Sequence, residues 1–70
     1  MQPLAGRKLY FVGIGGAGLS GYAVMAKAWG ADVAGWDRYE TPYLVHVREA
    51  AIPVEVSDEP AVPDGFEAVV

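Results

Sequence analysis

The apolar residues of this chain fall into short continuous runs, separated by stretches rich in glycine, proline and charge. The first run, residues 8–12, contains four consecutive apolar residues and is followed directly by Gly13. Continuous rather than alternating apolarity is typical of a strand that is covered on both faces, as in a parallel sheet. The same reasoning predicts further strands over residues 33–36, 52–56 and 66–70, with Pro53 at an edge or a first strand position.

Two segments between these strands have helical periodicity. Residues 19–29 place their apolar side chains on one stripe, and Gly30 follows as a C-terminal stop. That stripe consists of Leu19, Tyr22, Ala23, Ala26 and Trp29. The second helix is predicted over residues 41–51, with the Thr41 hydroxyl as its N-cap and Pro42 at its first position. Its apolar stripe consists of Tyr43, Leu44, Val47, Ala50 and Ala51.

The order of these elements predicts an α/β fold, namely a Rossmann-like parallel sheet that is incomplete, with about four strands and two helices. Residues 57–65 are predicted to be a polar connection with at most one helical turn. A central parallel strand normally leads into a covering helix, whereas this chain stops at Val70. We therefore interpret residues 1–70 as a single truncated domain, which is either a fragment of a longer protein or a chain that pairs with a second copy.

Composition narrows the classes of function. The 70 residues are 53% hydrophobic, which is too apolar for an intrinsically disordered chain. Without cysteine and with His46 as the one histidine, a disulfide framework, a thiolate zinc site and a polyhistidine metal site are excluded. The net charge of −4 argues against nucleic acid or an anionic membrane as the main partner, because both require a basic surface.

The uncharged run over residues 9–26 follows Arg7 and Lys8 and has the length of a signal sequence or a membrane span. Its five glycines argue against both, since each costs about 1 kcal/mol relative to alanine inside a helix. We therefore expect a cytoplasmic protein that does not enter a membrane.

The sequence Gly13-Ile14-Gly15-Gly16-Ala17-Gly18 fits the pattern G-x-G-x-x-G, directly after a predicted strand and before a predicted helix. In this pattern Gly13 allows a tight turn, Gly15 lets a phosphate approach the backbone, and Gly18 lets the helix pack closely on the strand. The free N–H groups and the dipole of the helix then favour a bound diphosphate.

Two polar residues extend this predicted site. Ser20 lies in the first helical turn and either caps the helix or adds a hydroxyl group to the site. Asp37 ends the second strand about 20 residues beyond the loop, where an acidic residue typically accepts a hydrogen bond from ribose. Arg38 either meets a 2′-phosphate or is solvated. The alternative is that the glycines only form a turn and that Asp37 is solvated.

No set of residues for catalysis is recognisable in the sequence. There are no paired carboxylates suited to acid–base chemistry, no Ser-His-Asp set and no G-x-x-x-x-G-K-[ST] loop. We therefore predict no catalytic residue and no metal ligand in this chain, and we interpret the glycine-rich loop as a binding element.

The stretch Phe11-Val12-Gly13-Ile14-Gly15-Gly16-Ala17-Gly18-Leu19-Ser20-Gly21 resembles the amino-terminal domain of the Mur ligase family of peptidoglycan synthesis. It is most similar to the members that join L-alanine to UDP-N-acetylmuramate, and the similarity continues through Gly35-Trp36-Asp37 and more loosely to Val70. The resemblance implies that a UDP diphosphate binds at Gly13, Gly15, Gly16, Ala17, Gly18 and Ser20, with Asp37 at the uridine end.

The resemblance also implies what lies elsewhere in a complete enzyme. ATP and Mg²⁺ would bind a central domain, and L-alanine a carboxy-terminal domain, so the 70 residues need no cofactor and are inactive alone. The chain departs from the family at three places: at Trp36, where the family often has serine, near Leu44, where the family often has threonine, and at Ser57-Asp58, where the family often has Asn-His or Gly-His. These departures bear on the recognition of uridine.

Two other interpretations remain open at the level of sequence. One is an NAD(P)-binding fragment of a dehydrogenase, in which Asp37 would bind the adenosine ribose. The other is a non-catalytic module that self-associates, as a homodimer, through its incomplete sheet.

Overall fold

The computed structural model describes residues 2–70 as one four-stranded sheet with two helices. The elements are, in chain order, β1 (Lys8–Val12), α1 (Ala17–Ala28), β2 (Asp32–Asp37), α2 (Leu44–Glu49), β3 (Val54–Val56) and β4 (Glu67–Val69). All neighbouring strands are parallel, in the order β3-β2-β1-β4. The predicted α/β fold, an incomplete Rossmann-like sheet, is therefore confirmed.

The register between the two inner strands determines where the glycine-rich loop lies. β1 and β2 pair along their whole shared length, from Lys8 opposite Asp32 to Val12 opposite Trp36. Their carboxyl ends therefore lie side by side. Gly13 follows the last pair in one strand and Asp37 in the other, so the loop and the aspartate meet at the same edge of the sheet.

The two faces of the sheet are covered differently. Leu9, Phe11 and Val33 face both helices and form the core with Ile14, Ala23, Ala26, Ala31, Leu44, Val47 and Ile52.

On the other face Tyr10 packs edge-on against Phe66, with ring centroids 6.4 Å apart. Burial, and secondarily the charge of Glu55, raises the pKa of Tyr10 above its usual value. A cavity of about 280 Å³ lies beside Tyr10, bounded by β2, β3 and the connection to β4.

Helix α1 begins two residues earlier than predicted because Gly16, in an extended conformation, serves as its N-cap. Its buried side is narrower than the predicted stripe. Ala23 and Ala26 are buried, whereas Tyr22 and Trp29, which share the predicted apolar stripe, are 60% and 46% exposed. The buried side of α1 consists of the small side chains of Ser20, Ala23 and Ala26, and the large rings lie on the solvent side.

Helix α2 is much shorter than predicted and spans only Leu44–Glu49. Thr41 is not its N-cap, because Tyr43 holds that position without a side-chain hydrogen bond. Leu44 and Val47 are fully buried, as the stripe predicted, but Tyr43 and Ala51 are exposed. Ala51 has a φ of +61°, a left-handed conformation incompatible with continuing the helix.

The outer strands are also shorter than expected, with three residues each. Pro53 precedes β3 and accepts a hydrogen bond from the Gly35 N–H through its carbonyl group. Residues 57–65 form the predicted polar connection without a helical turn, and it consists of bends, turns and irregular chain. No helix within residues 2–70 has both the length and the apolarity needed to cross a membrane.

Candidate functional site at the glycine-rich loop

The first part of the loop is built into the sheet. Gly13 has a φ of +91°, and the N–H groups of Gly13 and Ile14 both donate to the Trp36 carbonyl, at 2.8 and 3.0 Å. The Ile14 side chain is fully buried against Gly35, where an added Cβ would lie 2.5 Å from Ile14 Cδ1 and 2.8 Å from the Phe11 carbonyl oxygen. The close approach that requires a glycine is therefore at Gly35.

Gly15 is held by the side chains of Asp37, the last residue of β2, and Thr41, in the segment that follows it. Its N–H donates to Asp37 Oδ2 at 2.9 Å, and its carbonyl oxygen accepts from Thr41 Oγ1 at 2.6 Å. A Cβ on Gly15 would lie 2.8 Å from Thr41 Oγ1 and 2.9 Å from Asp37 Oδ2. The chain's own side chains therefore occupy the space beside Gly15, where the glycine pattern predicts an approaching phosphate.

The second part of the loop is open. The Gly16 N–H donates to the Gly13 carbonyl, and the Ser20 N–H donates to the Gly16 carbonyl. Between them, the N–H groups of Ala17, Gly18 and Leu19 have no acceptor within residues 2–70. Three consecutive amides therefore remain at the positive end of α1, where an anionic group can accept from them.

The structure assigns different local roles to two residues of the predicted site. An added Cβ at Gly18 would meet nothing within 4 Å, so the predicted close packing of helix on strand does not occur at this position. Ser20 is buried, and its hydroxyl donates back to the Ala17 carbonyl at 3.2 Å. Its hydroxyl therefore does not cap α1, whose N-cap is Gly16.

Asp37 lies beside the loop, as its position at the end of β2 predicted. Both of its oxygens hold the backbone, because Oδ2 accepts from the Gly15 N–H and Oδ1 from the Tyr39 N–H at 3.1 Å. Each carboxylate oxygen keeps further acceptor capacity for a donor on a ligand. Its negative charge disfavours an anion next to Gly15, so an anion fits better at the open amides of α1.

Trp36 and Ser57, two positions at which the chain departs from the family pattern, are in contact. The Trp36 indole N–H donates to Ser57 Oγ at 2.9 Å, and the Ser57 hydroxyl lies 2.9 Å from Glu55 Oε2. The two residues stand at the carboxyl ends of neighbouring strands, so they form one polar contact at the edge of the sheet that carries the loop. His46, by contrast, is highly exposed on α2 and pairs with Glu49, away from the loop.

Sequence reasoning missed Thr41 and Gly35 as parts of this site. Thr41 was assigned to a helix cap, and the available signal was its position four residues after Asp37, on the same connection. Gly35 carried a weaker signal, a lone glycine within a predicted strand, which often marks a close backbone approach.

Comparison with protein families matches residues 8–70 to the family described as "Mur ligase family, catalytic domain". The match includes the glycine-rich loop and Asp37 and covers most of the chain. The chain belongs to the Mur ligase family. This confirms the resemblance seen in the sequence and connects the chain, at the level of the family, with peptidoglycan synthesis.

Several curated relatives of this Mur ligase chain are UDP-N-acetylmuramate–L-alanine ligases. The protein from Francisella philomiragia is 34% identical over 91% of the chain and 14% of its own length. Those from Nocardioides sp. and Frankia alni are 43% and 40% identical over 77% and 76% of the chain, and 12% and 9% of their own lengths. The chain thus spans a small part of the relatives it matches. No solved structure matches it.

Proposed function

We propose that this chain binds the UDP portion of UDP-N-acetylmuramate as part of a muramate–L-alanine ligase. The observation that carries the proposal is the row of three open amides at Ala17, Gly18 and Leu19, at the N-terminus of a 12-residue helix. These amides would donate to the diphosphate, and Gly16, the N-cap of α1, would lie beside it. Gly13, Gly15 and Ser20 would support the loop from within.

The order of donors and acceptors along the sheet edge supports this orientation. The end of α1 offers only N–H groups and a partial charge of about +0.5, which suits an anion. Asp37 lies close to this helix end, because it is hydrogen-bonded to Gly15 of the same loop, and its carboxylate can only accept hydrogen bonds. A ligand with a diphosphate at one end and hydroxyl or N–H donors at the other satisfies both, and a nucleoside diphosphate has this arrangement.

The choice of nucleotide rests on the relatives, because adenosine and uridine both carry a ribose that can donate to Asp37. The names of the curated relatives favour UDP-N-acetylmuramate. The dehydrogenase interpretation, with NAD(P) at the same loop, remains the alternative that a binding experiment must separate.

We also propose that the 70 residues do not ligate alanine by themselves and that the protein acts in the cytoplasm. The sequence has no G-x-x-x-x-G-K-[ST] loop for ATP, and by resemblance ATP and Mg²⁺ belong to another domain of a complete ligase. Incubating the purified chain with UDP-N-acetylmuramate, L-alanine, ATP and Mg²⁺ should yield no ADP above the background without enzyme. Alanine-dependent release of ADP would contradict this proposal.

The binding proposal is tested by calorimetric titration with UDP-N-acetylmuramate, UDP and NAD⁺, using two variants of one residue. Ala17→Pro deletes one open N–H at the first helical position, where proline is well tolerated. The preceding Gly16, at φ −73° and ψ 155°, already has the conformation that proline requires of its neighbour. Ala17→Val has the same number of side-chain carbons as Ala17→Pro and keeps the N–H, so it controls for bulk.

The expected results separate the alternatives. The unmodified chain binds UDP-N-acetylmuramate and UDP more tightly than NAD⁺. Ala17→Pro weakens binding of UDP by about 10-fold or more, because a hydrogen bond to a charged group contributes about 1.5–3 kcal/mol. Ala17→Val stays within about 3-fold of the unmodified chain, a difference below about 1 kcal/mol. No binding of either uridine nucleotide would overturn the proposal, and tighter binding of NAD⁺ would favour the dehydrogenase interpretation.

Self-association is a second candidate function because both outer strands have an unpaired edge within residues 2–70. The β4 residues Glu67 and Ala68 are exposed, and Val70 is 92% exposed. Exposed sheet edges pair readily with other strands. Sedimentation velocity distinguishes the cases: a concentration-dependent dimer that binds no nucleotide would favour the self-associating module.

A further inference from the structure

Gly15 is fixed at both ends of its own backbone by the side chains of Asp37, at the end of β2, and Thr41, in the β2–α2 connection. We call this pair of contacts the Gly15 latch, formed by Asp37, which accepts from the Gly15 N–H, and Thr41, whose hydroxyl donates to the Gly15 carbonyl. The two side chains are four residues apart, and both contacts are part-buried. Because a Cβ on Gly15 would collide with both, the latch can close only on a glycine.

The Thr41 half of the latch controls more than Gly15. A peptide group is planar, so the carbonyl of Gly15 and the N–H of Gly16 turn together. Thr41 Oγ1 holds that plane at 2.6 Å from one side, and the Gly16 N–H donates to the Gly13 carbonyl at 3.0 Å on the other. Gly16 is the N-cap of α1, so the orientation of this plane determines where the helix begins and where its open amides point.

We propose that Thr41 is a positioning residue for the nucleotide site. The inference rests on the proposed function, since it assigns Thr41 the role of holding the open amides of α1 in the orientation that receives the diphosphate. Thr41 acts through Gly15 and Gly16 and does not itself contact the ligand. Without its hydroxyl the Gly15 carbonyl loses its partner, the plane can turn, and the amides must be ordered when the ligand binds.

The experiment compares three variants of the 70-residue chain. Thr41→Val removes the hydroxyl and preserves the shape, and Thr41→Ser keeps the hydroxyl and removes the methyl group. Lys27→Met is the control for stability, because Lys27 Nζ donates to the Ala50 and Ala51 carbonyls, far along α1 from the loop. Each variant is titrated with UDP-N-acetylmuramate at a temperature where circular dichroism shows that it is folded.

The expected outcome is a selective loss of affinity. Thr41→Val binds about 10-fold more weakly than the unmodified chain, a change that corresponds to about 1.4 kcal/mol. Thr41→Ser and Lys27→Met remain within about 3-fold, which is less than about 1 kcal/mol. Equal affinity of Thr41→Val and the unmodified chain would overturn the inference, as would an equal loss in Lys27→Met.

A measurement without ligand keeps the inference separate from the proposed function. Amide hydrogen exchange, followed residue by residue by NMR, should accelerate at Gly15 and Gly16 in Thr41→Val and stay unchanged at Leu9 and Phe11. Thr41→Ser should restore the slow exchange. If the unmodified chain bound no uridine nucleotide, the proposed function would fail, whereas unchanged exchange at Gly15 and Gly16 in Thr41→Val would reject the latch itself.

Discussion

The two halves of the glycine-rich loop differ in what surrounds them. In residues 13–15 every backbone N–H is bonded within the chain, and the Ile14 side chain is fully buried. Residues 16–18 are exposed, and the three open amides of α1 begin within them, at Ala17. One sequence fingerprint therefore serves two purposes. Its first half joins β1 to the end of β2, and only its second half is available to a ligand.

The difference follows from the positions of the glycines relative to the sheet. Where the loop leaves β1 it crosses the end of β2 and meets Trp36, Asp37 and Thr41, so missing side chains make room for the protein itself. Where it enters α1 it turns toward solvent, and a Cβ at Gly18 meets nothing within 4 Å. The following substitutions test this contrast, from the largest expected effect to the smallest.

The largest effect is expected for Ile14→Ala in the buried half. Removing a fully buried side chain of this size typically costs about 2–5 kcal/mol, which approaches the whole stability of a small domain. Urea denaturation followed by circular dichroism should show a chain that is largely unfolded at 25 °C or has a much lower midpoint. Val45→Ala is the control, because Val45 on α2 is 55% exposed, and it should change the free energy of unfolding by less than about 0.5 kcal/mol. Similar midpoints for the two variants would show that Ile14 does not anchor the loop.

Gly35→Ala should be the next most damaging change, because its Cβ would collide with the Phe11 carbonyl as well as with Ile14. Overpacking of this kind costs about 1–3 kcal/mol in the free energy of unfolding. Combining it with Ile14→Val, which removes the Cδ1 atom at 2.5 Å, should cost less than the sum of the two single changes. If the changes in the free energy of unfolding were strictly additive, Gly35 of the strand and Ile14 of the loop would not be in steric contact.

The sequence predicted the parts of this arrangement that depend on local pattern. The parallel order of strands, the turn at Gly13 and the place of Asp37 follow from hydrophobic runs and from a spacing of about 20 residues, and the structure contains all three. Thr41 was misassigned because N-cap propensity is local, whereas its actual acceptor, Gly15, is 26 residues away along the chain. Local propensity gave no means of choosing between these two uses of the same hydroxyl.

The burial of α1 was predicted incompletely for a related reason. Helical spacing places Trp29 and Ala26 on one stripe, but it does not say how close the helix lies to the sheet. The buried side of α1 holds only alanine and serine, and Trp29 is 46% exposed. The uses of the four glycines could not be told apart from sequence either, because the neighbours that crowd Gly15, Asp37 at the end of β2 and Thr41 beyond it, are more than 20 residues away along the chain.

Gly15→Ala should have an intermediate effect on stability and a clear effect on binding. Its Cβ meets the ends of the Thr41 and Asp37 side chains, which can rotate away at the loss of their hydrogen bonds. We expect a cost of about 1–2 kcal/mol, since two net hydrogen bonds of about 1 kcal/mol each are affected. Titration with UDP should show weaker binding even at temperatures where the variant is fully folded. Full affinity would mean that the latch and the open amides are independent.

The smallest effect, with the opposite sign, is expected for Gly18→Ala. A Cβ at Gly18 enters open space, and alanine is favoured over glycine in a helix by up to about 1 kcal/mol, so the variant should unfold at higher urea concentration. Gly13→Ala is the matched comparison, because the same added methyl group at φ +91° is strained by about 1–2 kcal/mol and should lower the midpoint. Opposite shifts from one chemical change, in the same six-residue motif, would show that the two halves of the loop differ in backbone conformation, which is left-handed at Gly13 and helical at Gly18. A destabilised Gly18→Ala would instead place that glycine in a packed contact and remove the distinction on which the open binding half depends.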